Sequence, residues 1–292
     1  MSVISLKYGT STAVIQQKGA QMLSFKGGDG REVMWQGDSV WEDSSPVLFP
    51  VCGSPKDMQV LVDDIAYPMP QHGFASKYDF EIVKYGEDFV DLALSANENT
   101  MKAYPFDFHF HVVYTLRENG FRADYIVENK GNQVMPFCVG AHPGFNVPME
   151  EGASYNDYQF IFPYQEEGRN LLVTEDGLID GAEIIPLENG STLPLRHEYF
   201  DQKDSLVFAD MNSRSVELVN KHSGKGIRVS YPKMEVLVIW SMPGTNSDYV
   251  CIEPWHGMPG QVTESGRFED KPFVTLLAPG MSHQCGYDVE LI

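Results

Sequence analysis

The sequence predicts an all-β protein, a large antiparallel β-sandwich. Three observations point there: apolar residues alternate with polar ones, strand-length runs are separated by turn residues, and helical periodicity is nearly absent. The clearest alternation runs from Phe106 to Asn129. Phe106, Phe108, Phe110, Val112, Tyr114 and Leu116 hold every second position, with Asp107, His109, His111 and Thr115 between them. A period of two places the two sets on opposite faces of a strand. Arg117-Glu118-Asn119-Gly120 then reads as a turn, in which Gly120 is free to take a positive φ. Beyond it Phe121, Ala123, Tyr125 and Val127 alternate with Arg122, Asp124 and Glu128, so the segment predicts a long hairpin with one apolar face.

The remaining elements are shorter. Gly27-Gly28-Asp29-Gly30 is a turn between two apolar runs, and it lacks the Lys-Ser/Thr ending and following helix of a phosphate-binding loop. Apolar runs at Phe89–Leu94, Ser205–Phe208, Ser215–Val219, Gly226–Ser230, Val236–Trp240 and Tyr249–Ile252 predict strands. The segment Asn97–Tyr104 predicts at most one short helix. The 18 prolines and 26 glycines are spread through the chain, and no repeat or linker divides it. All-β sandwiches often run to about 200–250 residues as one unit, so 1–292 is read as a single domain.

Composition excludes several function classes. Lys and Arg number 21 against 41 Asp and Glu, a formal net charge of −20. A surface this acidic repels phosphate backbones, so neither nucleic acid nor an anionic membrane is expected as a partner. No apolar run approaches the ~20 residues that cross a bilayer. The stretch Met1–Thr10 lacks the basic-then-apolar pattern of a secretory signal. Cys52, Cys138, Cys251 and Cys285 are widely spaced, with no CxxC pair, and are read as reduced, buried thiols. A cytoplasmic location is the resulting expectation. The sequence carries no marker of oligomeric state.

Three segments place a histidine or carboxylate beside turn-forming residues, where a side chain reaches a cleft. They are Gln71-His72-Gly73-Phe74-Ala75, Gly140-Ala141-His142-Pro143-Gly144-Phe145-Asn146 and Cys251-Ile252-Glu253-Pro254-Trp255-His256-Gly257. Taken singly, each histidine could simply bond its own loop, and no spacing rule joins the three. His109 and His111 share a strand face, but the Glu of a cupin-type metal site, three or four residues later, is replaced by Tyr114 and Thr115. They are read as polar-face histidines of the hairpin, and no metal is assigned.

Those three segments belong to a larger pattern. With Gly19-Ala20-Gln21-Met22, Val33-Met34-Trp35-Gln36-Gly37, Pro46-Val47-Leu48-Phe49-Pro50, Asp204-Ser205-Leu206-Val207-Phe208 and Leu277-Ala278-Pro279-Gly280, the chain resembles the aldose 1-epimerase (galactose mutarotase-like) family, in its lactose-operon-type branch. The likeness runs nearly end to end. It implies a large antiparallel β-sandwich with an open sugar-binding cleft and a cofactor-independent isomerase. By the same resemblance Glu253 matches the general base, His142 the general acid and His72 a second histidine that binds and polarises the sugar. Asp204 matches an aspartate that accepts bonds from sugar hydroxyls. Two positions depart from the family: Ser54 stands where relatives often carry a substrate-binding arginine, a role expected here of Lys56 two residues on, and Ser76 follows His72-Gly73-Phe74-Ala75 where the hexose-6-phosphate branch carries arginine. Lys77 comes next, expected on the opposite side of a strand from Ser76. The expected substrate is therefore a neutral aldohexose such as galactose or glucose. A sugar sensor without catalysis and a hexose-6-phosphate epimerase are the alternatives.

These residue types suit the chemistry. Mutarotation removes the proton of the C1 hydroxyl, protonates the ring oxygen, and recloses the ring on the other face. A carboxylate with a pKa near ~4.3 accepts, and a histidine near ~6.5 donates once its pKa is raised. The neighbouring acidic groups are expected to raise that of His142. Trp255 is expected to lay its ring on the C–H face of a pyranose and to donate from its N–H.

Overall fold

The hairpin forms where the alternation places it. In this computed structural model, which describes residues 2–292, strands Phe108–Arg117 and Gly120–Asn129 pair antiparallel through a two-residue Glu118–Asn119 turn. Residues 108, 110, 112, 114 and 116 are buried while 109, 111, 113 and 115 are half-buried. Gly120 differs from expectation: it is the first strand residue and does not take a positive φ. Its lack of a side chain serves a neighbour instead, because a Cβ there would lie 2.1 Å from the Val289 carbonyl oxygen.

This hairpin lies inside a nine-stranded antiparallel sheet. On one side it pairs with Phe89–Ser95 and then Glu81–Tyr85; on the other with Ser282–Leu291, Gly226–Ser230, Ser215–Asn220, Tyr158–Ile161 and Thr192–Pro194. The second sheet is eight-stranded. It runs Ile179–Ile184, Arg169–Val173, Ser205–Phe208, Val236–Trp240, Tyr249–His256, Val139–Ala141 and Val47–Leu48, with Gly144–Asn146 also on Tyr249–His256. A three-stranded sheet, Val3–Tyr8, Ser11–Gln16 and Met22–Lys26, packs beside them. Each predicted apolar run is a strand, and Tyr249–Ile252 extends to His256. The Asn97–Tyr104 segment holds a single 3₁₀ turn, Thr100–Lys102. One short α-helix, Glu198–Lys203, has no counterpart in the sequence reading.

Buried side chains from these three sheets join one contiguous apolar cluster. Phe49 lies near its middle, stacked on Phe110 at 4.6 Å between centroids and edge-on to Phe74 and Tyr104. Phe25 packs on Phe121 at 5.1 Å, and the Tyr114 hydroxyl donates to the Ala20 carbonyl, tying the small sheet to the hairpin. The four cysteines are buried, as read from the sequence. Among the described residues no helix is long and apolar enough to cross a membrane.

Candidate functional site

The eight-stranded sheet is buried on its core face and carries a cleft of about 510 Å³ on the other. That volume lies within the range of small-molecule sites. Strand register builds its floor. Val238 sits opposite Glu253, Ser205 opposite Trp240, Val207 opposite Val238, and Gly140 between Trp255 and Leu48. Opposed residues share a face, so Leu48, Trp255, Glu253, Val238, Val207, Trp240 and Ser205 all line the cleft. A Cβ on Gly140 would lie 2.7 Å from Trp255 Cδ1, so the bare backbone there makes room for the indole.

Glu253 and His142 meet on this floor. Glu253 comes from the centre of strand Tyr249–His256, and His142 from the loop between Val139–Ala141 and Gly144–Asn146. His142 Nε2 lies 3.3 Å from Glu253 Oε2, without the alignment of a hydrogen bond. Both carboxylate oxygens of Glu253 and Nδ1 of His142 are buried without a hydrogen-bond partner in the protein. Orphaned buried polar groups are costly and rare, and a site waiting for a polar ligand accounts for them. Rings surround the imidazole, with centroids of Trp41 at 5.3 Å, Trp240 at 5.5 Å and His72 at 5.4 Å.

Burial sets the electrostatics. It pushes Glu253 well above the carboxylate range; the charge of Asp204 adds to the rise and the nearby Trp255 N–H opposes it. Burial also pushes His142 down, to about 4. This reverses the expected upward shift of His142: loss of water disfavours the imidazolium more than its surroundings favour it. The opposed shifts favour the neutral pair, a protonated Glu253 beside a neutral His142, over the carboxylate–imidazolium pair at the same 3.3 Å separation.

His72 occupies a wall of the same cleft in a left-handed conformation, φ 64°. The Gly53 N–H donates to its Nδ1 at 3.2 Å, so neutral His72 carries its proton on Nε2. Burial, reinforced by His142, pushes it down to about 3. The loop is held by Gly73, φ 73°, whose Cβ position lies 2.2 Å from the Phe49 carbonyl oxygen. Only backbone is there to give way. Gly73→Ala is therefore expected to cost more than about 1 kcal/mol and to lower ligand affinity by displacing His72, read by urea unfolding and ligand titration.

Of the other residues named from sequence, Asp204 and Trp255 line the cleft. Asp204 is the C-cap of the short helix, in an uncommon conformation (φ 62°, ψ −62°), and burial raises its pKa. The Trp255 N–H is already used, donating to the Ala141 carbonyl at 3.1 Å, so it offers the cleft its ring but not the hydrogen bond expected from sequence. Lys56 is not brought to the cleft: its ammonium donates to the Glu264 carbonyl. The segment at 75–77 is a 3₁₀ turn, not a strand, so Ser76 and Lys77 both reach the cleft. Ser54 lines it as well.

The sequence reading missed the aromatic side of the site. Trp41 and Trp240 close it, with Tyr249 stacked behind Trp41 at 5.3 Å. A signal for Trp240 was present, because it ends a predicted strand; the pairing with the strand of Glu253 was not readable. Asp43 is a further lining residue. Gln21 fixes it, donating to Asp43 while accepting the Ser44 and Ser45 N–H groups.

Comparison with known proteins identifies the family and the fold. The chain matches the aldose 1-epimerase family over residues 2–284. It is 34% identical over 304 residues to the chromosomal protein LacX of Lactococcus lactis subsp. lactis, with 99% of each chain covered. A galactose mutarotase related enzyme from Lactobacillus acidophilus superposes with a TM-score of 0.93 at 29% identity, covering 100% of this chain and 97% of its own. A galactose mutarotase-like protein from Lactobacillus casei ATCC 334 gives 0.92 at 29% identity, with 100% of both chains covered. The antiparallel sandwich, the cleft on its second sheet and this end-to-end likeness lead to one conclusion: the chain belongs to the aldose 1-epimerase family.

Proposed function

We propose that the protein interconverts the α and β anomers of a neutral aldohexose, galactose or glucose, with Glu253 as base, His142 as acid and His72 as a donor that orients the sugar. The observation that carries this reading is the Glu253–His142 pair, 3.3 Å apart with unpartnered polar atoms on both residues. In ring opening, Glu253 takes the proton of the C1 hydroxyl while His142 gives one to the ring oxygen, breaking the bond from C1 to that oxygen. The pair is left as carboxylic acid and neutral imidazole. Rotation about C1–C2 and the reverse transfers close the other anomer and restore the starting state. Burial favours the neutral pair, so the apolar floor assists the opening transfer. Asp204 accepts from sugar hydroxyls, and Trp255 supplies a face for the C–H side of the ring. Freshly dissolved α-anomer is expected to lose its excess optical rotation faster with the protein present, in a buffer too weak to catalyse the change. Sugar binding without acceleration would make the protein a sensor.

The charged groups lining the cleft favour an uncharged sugar. Among the described residues the carboxyls of Asp43 and Asp204, beside the buried carboxyl of Glu253, face a single ammonium, that of Lys77. A phosphate would require more cationic donors than this. Saturation-transfer NMR with galactose or glucose against the 6-phosphates is expected to show the neutral sugars binding better. Preference for a 6-phosphate would place Lys77 at the phosphate and replace the proposed substrate.

A further inference from the structure

The outer face of the nine-stranded sheet carries a cluster that the cleft does not use. His109 and His111 project from that face of Phe108–Arg117, and register places Glu128 directly opposite His109 on the next strand. The sequence lacked a carboxylate at the expected spacing along one strand, and the sheet supplies it from across. His111 Nε2 lies 3.3 Å from His109 Nδ1, and His109 Nδ1 lies 3.5 Å from Glu128 Oε2. One ligand atom from each of the three residues falls within 4.8 Å of the others. Tetrahedral bonds of about 2.0–2.1 Å to a central ion hold ligand atoms about 3.3–3.4 Å apart, which two of the three edges already match. The third closes by rotation of the partly exposed Glu128.

The second sphere is in place as well. Asp91, diagonal to His111 on the neighbouring strand Phe89–Ser95, lies 2.7 Å from His111 Nδ1. A carboxylate on the remote nitrogen of a histidine turns its other nitrogen toward a metal and fixes the tautomer. We propose that His109 Nδ1, His111 Nε2 and Glu128 bind a borderline divalent ion, Zn²⁺, with Asp91 orienting His111 and water completing the coordination. Two imidazoles and one carboxylate suit zinc better than calcium or magnesium. The Lys130 ammonium, 2.6 Å from Glu128 Oε2, now occupies part of this space. Its side chain is half exposed and swings away at little cost. The ion would clamp two neighbouring strands on the solvent side of the sheet, with Asp91 tying in a third through His111.

The test is calorimetric titration of ZnCl2 into untagged, chelator-treated full-length protein, with bound zinc counted after dialysis. One ion per chain is expected, together with a higher melting temperature. His109→Ala/His111→Ala should abolish binding, and Asp91→Asn should weaken it by about 10–100-fold. Lys130→Ala should strengthen it. All of these variants should keep the sugar activity of the unmodified chain, since the cluster lies outside the cleft. Failure to retain zinc would overturn the assignment. So would zinc retained undiminished by the double variant, which would move the ion to the His142–Cys251–Glu253 group in the cleft.

Discussion

Glu253→Gln is expected to remove about 10²–10⁴-fold of the rate at which the protein speeds anomer interconversion, the usual contribution of a positioned acid–base group. Glutamine keeps the shape and fills the same place on the strand but cannot accept the C1 hydroxyl proton. Galactose or glucose affinity should therefore survive while the acceleration is lost. His142→Asn should act alike by removing the donor to the ring oxygen, whereas His72→Asn should weaken binding as well as rate. Full activity in Glu253→Gln would assign the base to another carboxylate, with Asp204 nearest at hand.

The pH profile follows from the proton that the Glu253–His142 pair holds. Below about 4, where His142 takes up its own proton, both groups are protonated and neither accepts. On the alkaline side the rate is expected to fall when the pair loses its last proton, at a pH displaced upward because burial raises Glu253. Stability has its own sign. A carboxyl whose folded pKa lies above its unfolded value of about 4.3 contributes no penalty below that value and progressively destabilises the fold as pH rises toward the folded one. Glu253→Gln removes this burden. Its melting temperature should match the parent near pH 4 and exceed it at neutral pH, a gain in stability bought with the loss of catalysis. Scanning calorimetry across that range reads the crossover.

Phe49→Ala is expected to destabilise the fold by about 3–5 kcal/mol, the range for truncating a buried phenylalanine. Phe49 is fully buried and its ring touches those of Phe74, Tyr104, Phe108, Phe110 and Phe137. Its backbone also holds the His72 wall: Phe49 N–H donates to the His72 carbonyl, and Phe74 N–H to the Phe49 carbonyl. The cavity should loosen this wall, so that sugar affinity falls while the Glu253 floor remains. Phe49→Leu, which fills most of the space, should recover most of the stability. Denaturant unfolding paired with ligand titration distinguishes the two effects. Equal stability for parent and Phe49→Ala would mean that the cluster repacks fully.

What was legible in the sequence is what short-range pattern encodes. The Phe106–Asn129 hairpin announced itself because burial on one face imposes a period of two. Ser205–Phe208 and Val236–Trp240 were recognisable as short apolar runs. The helix Glu198–Lys203 was not, since six residues give too little periodicity to register. The convergence of His72, His142 and Glu253 on one cleft is a product of strand order and loop path. No spacing within the chain records it; only the resemblance to a family suggested it. Glu128 was hidden for the same reason, as it meets His109 across a ladder and not along a strand. The depressed pKa of His142 was missed because burial is a property of the folded cleft. Counting acidic residues in the sequence pointed in the opposite direction.

The cleft has a floor of strands and walls of loops, and these two parts have different mechanical lives. Glu253 stands on Tyr249–His256, laddered on one side by Val236–Trp240 and on the other by Val139–Ala141 and Gly144–Asn146. The walls come from the stretches around Trp41–Pro46, Gly53–Ser54 and Pro70–Lys77. Interior strands open only with large parts of a molecule, while loops open alone. Amide hydrogen exchange should accordingly be slowest along the Glu253 strand and fastest in the walls. On the proposed mechanism the reacting carboxylate is mounted on an interior strand, and the walls proposed to choose among sugars are loops, the parts freer to change. Substitutions in the loops could retune selectivity while leaving the proton-transfer machinery undisturbed.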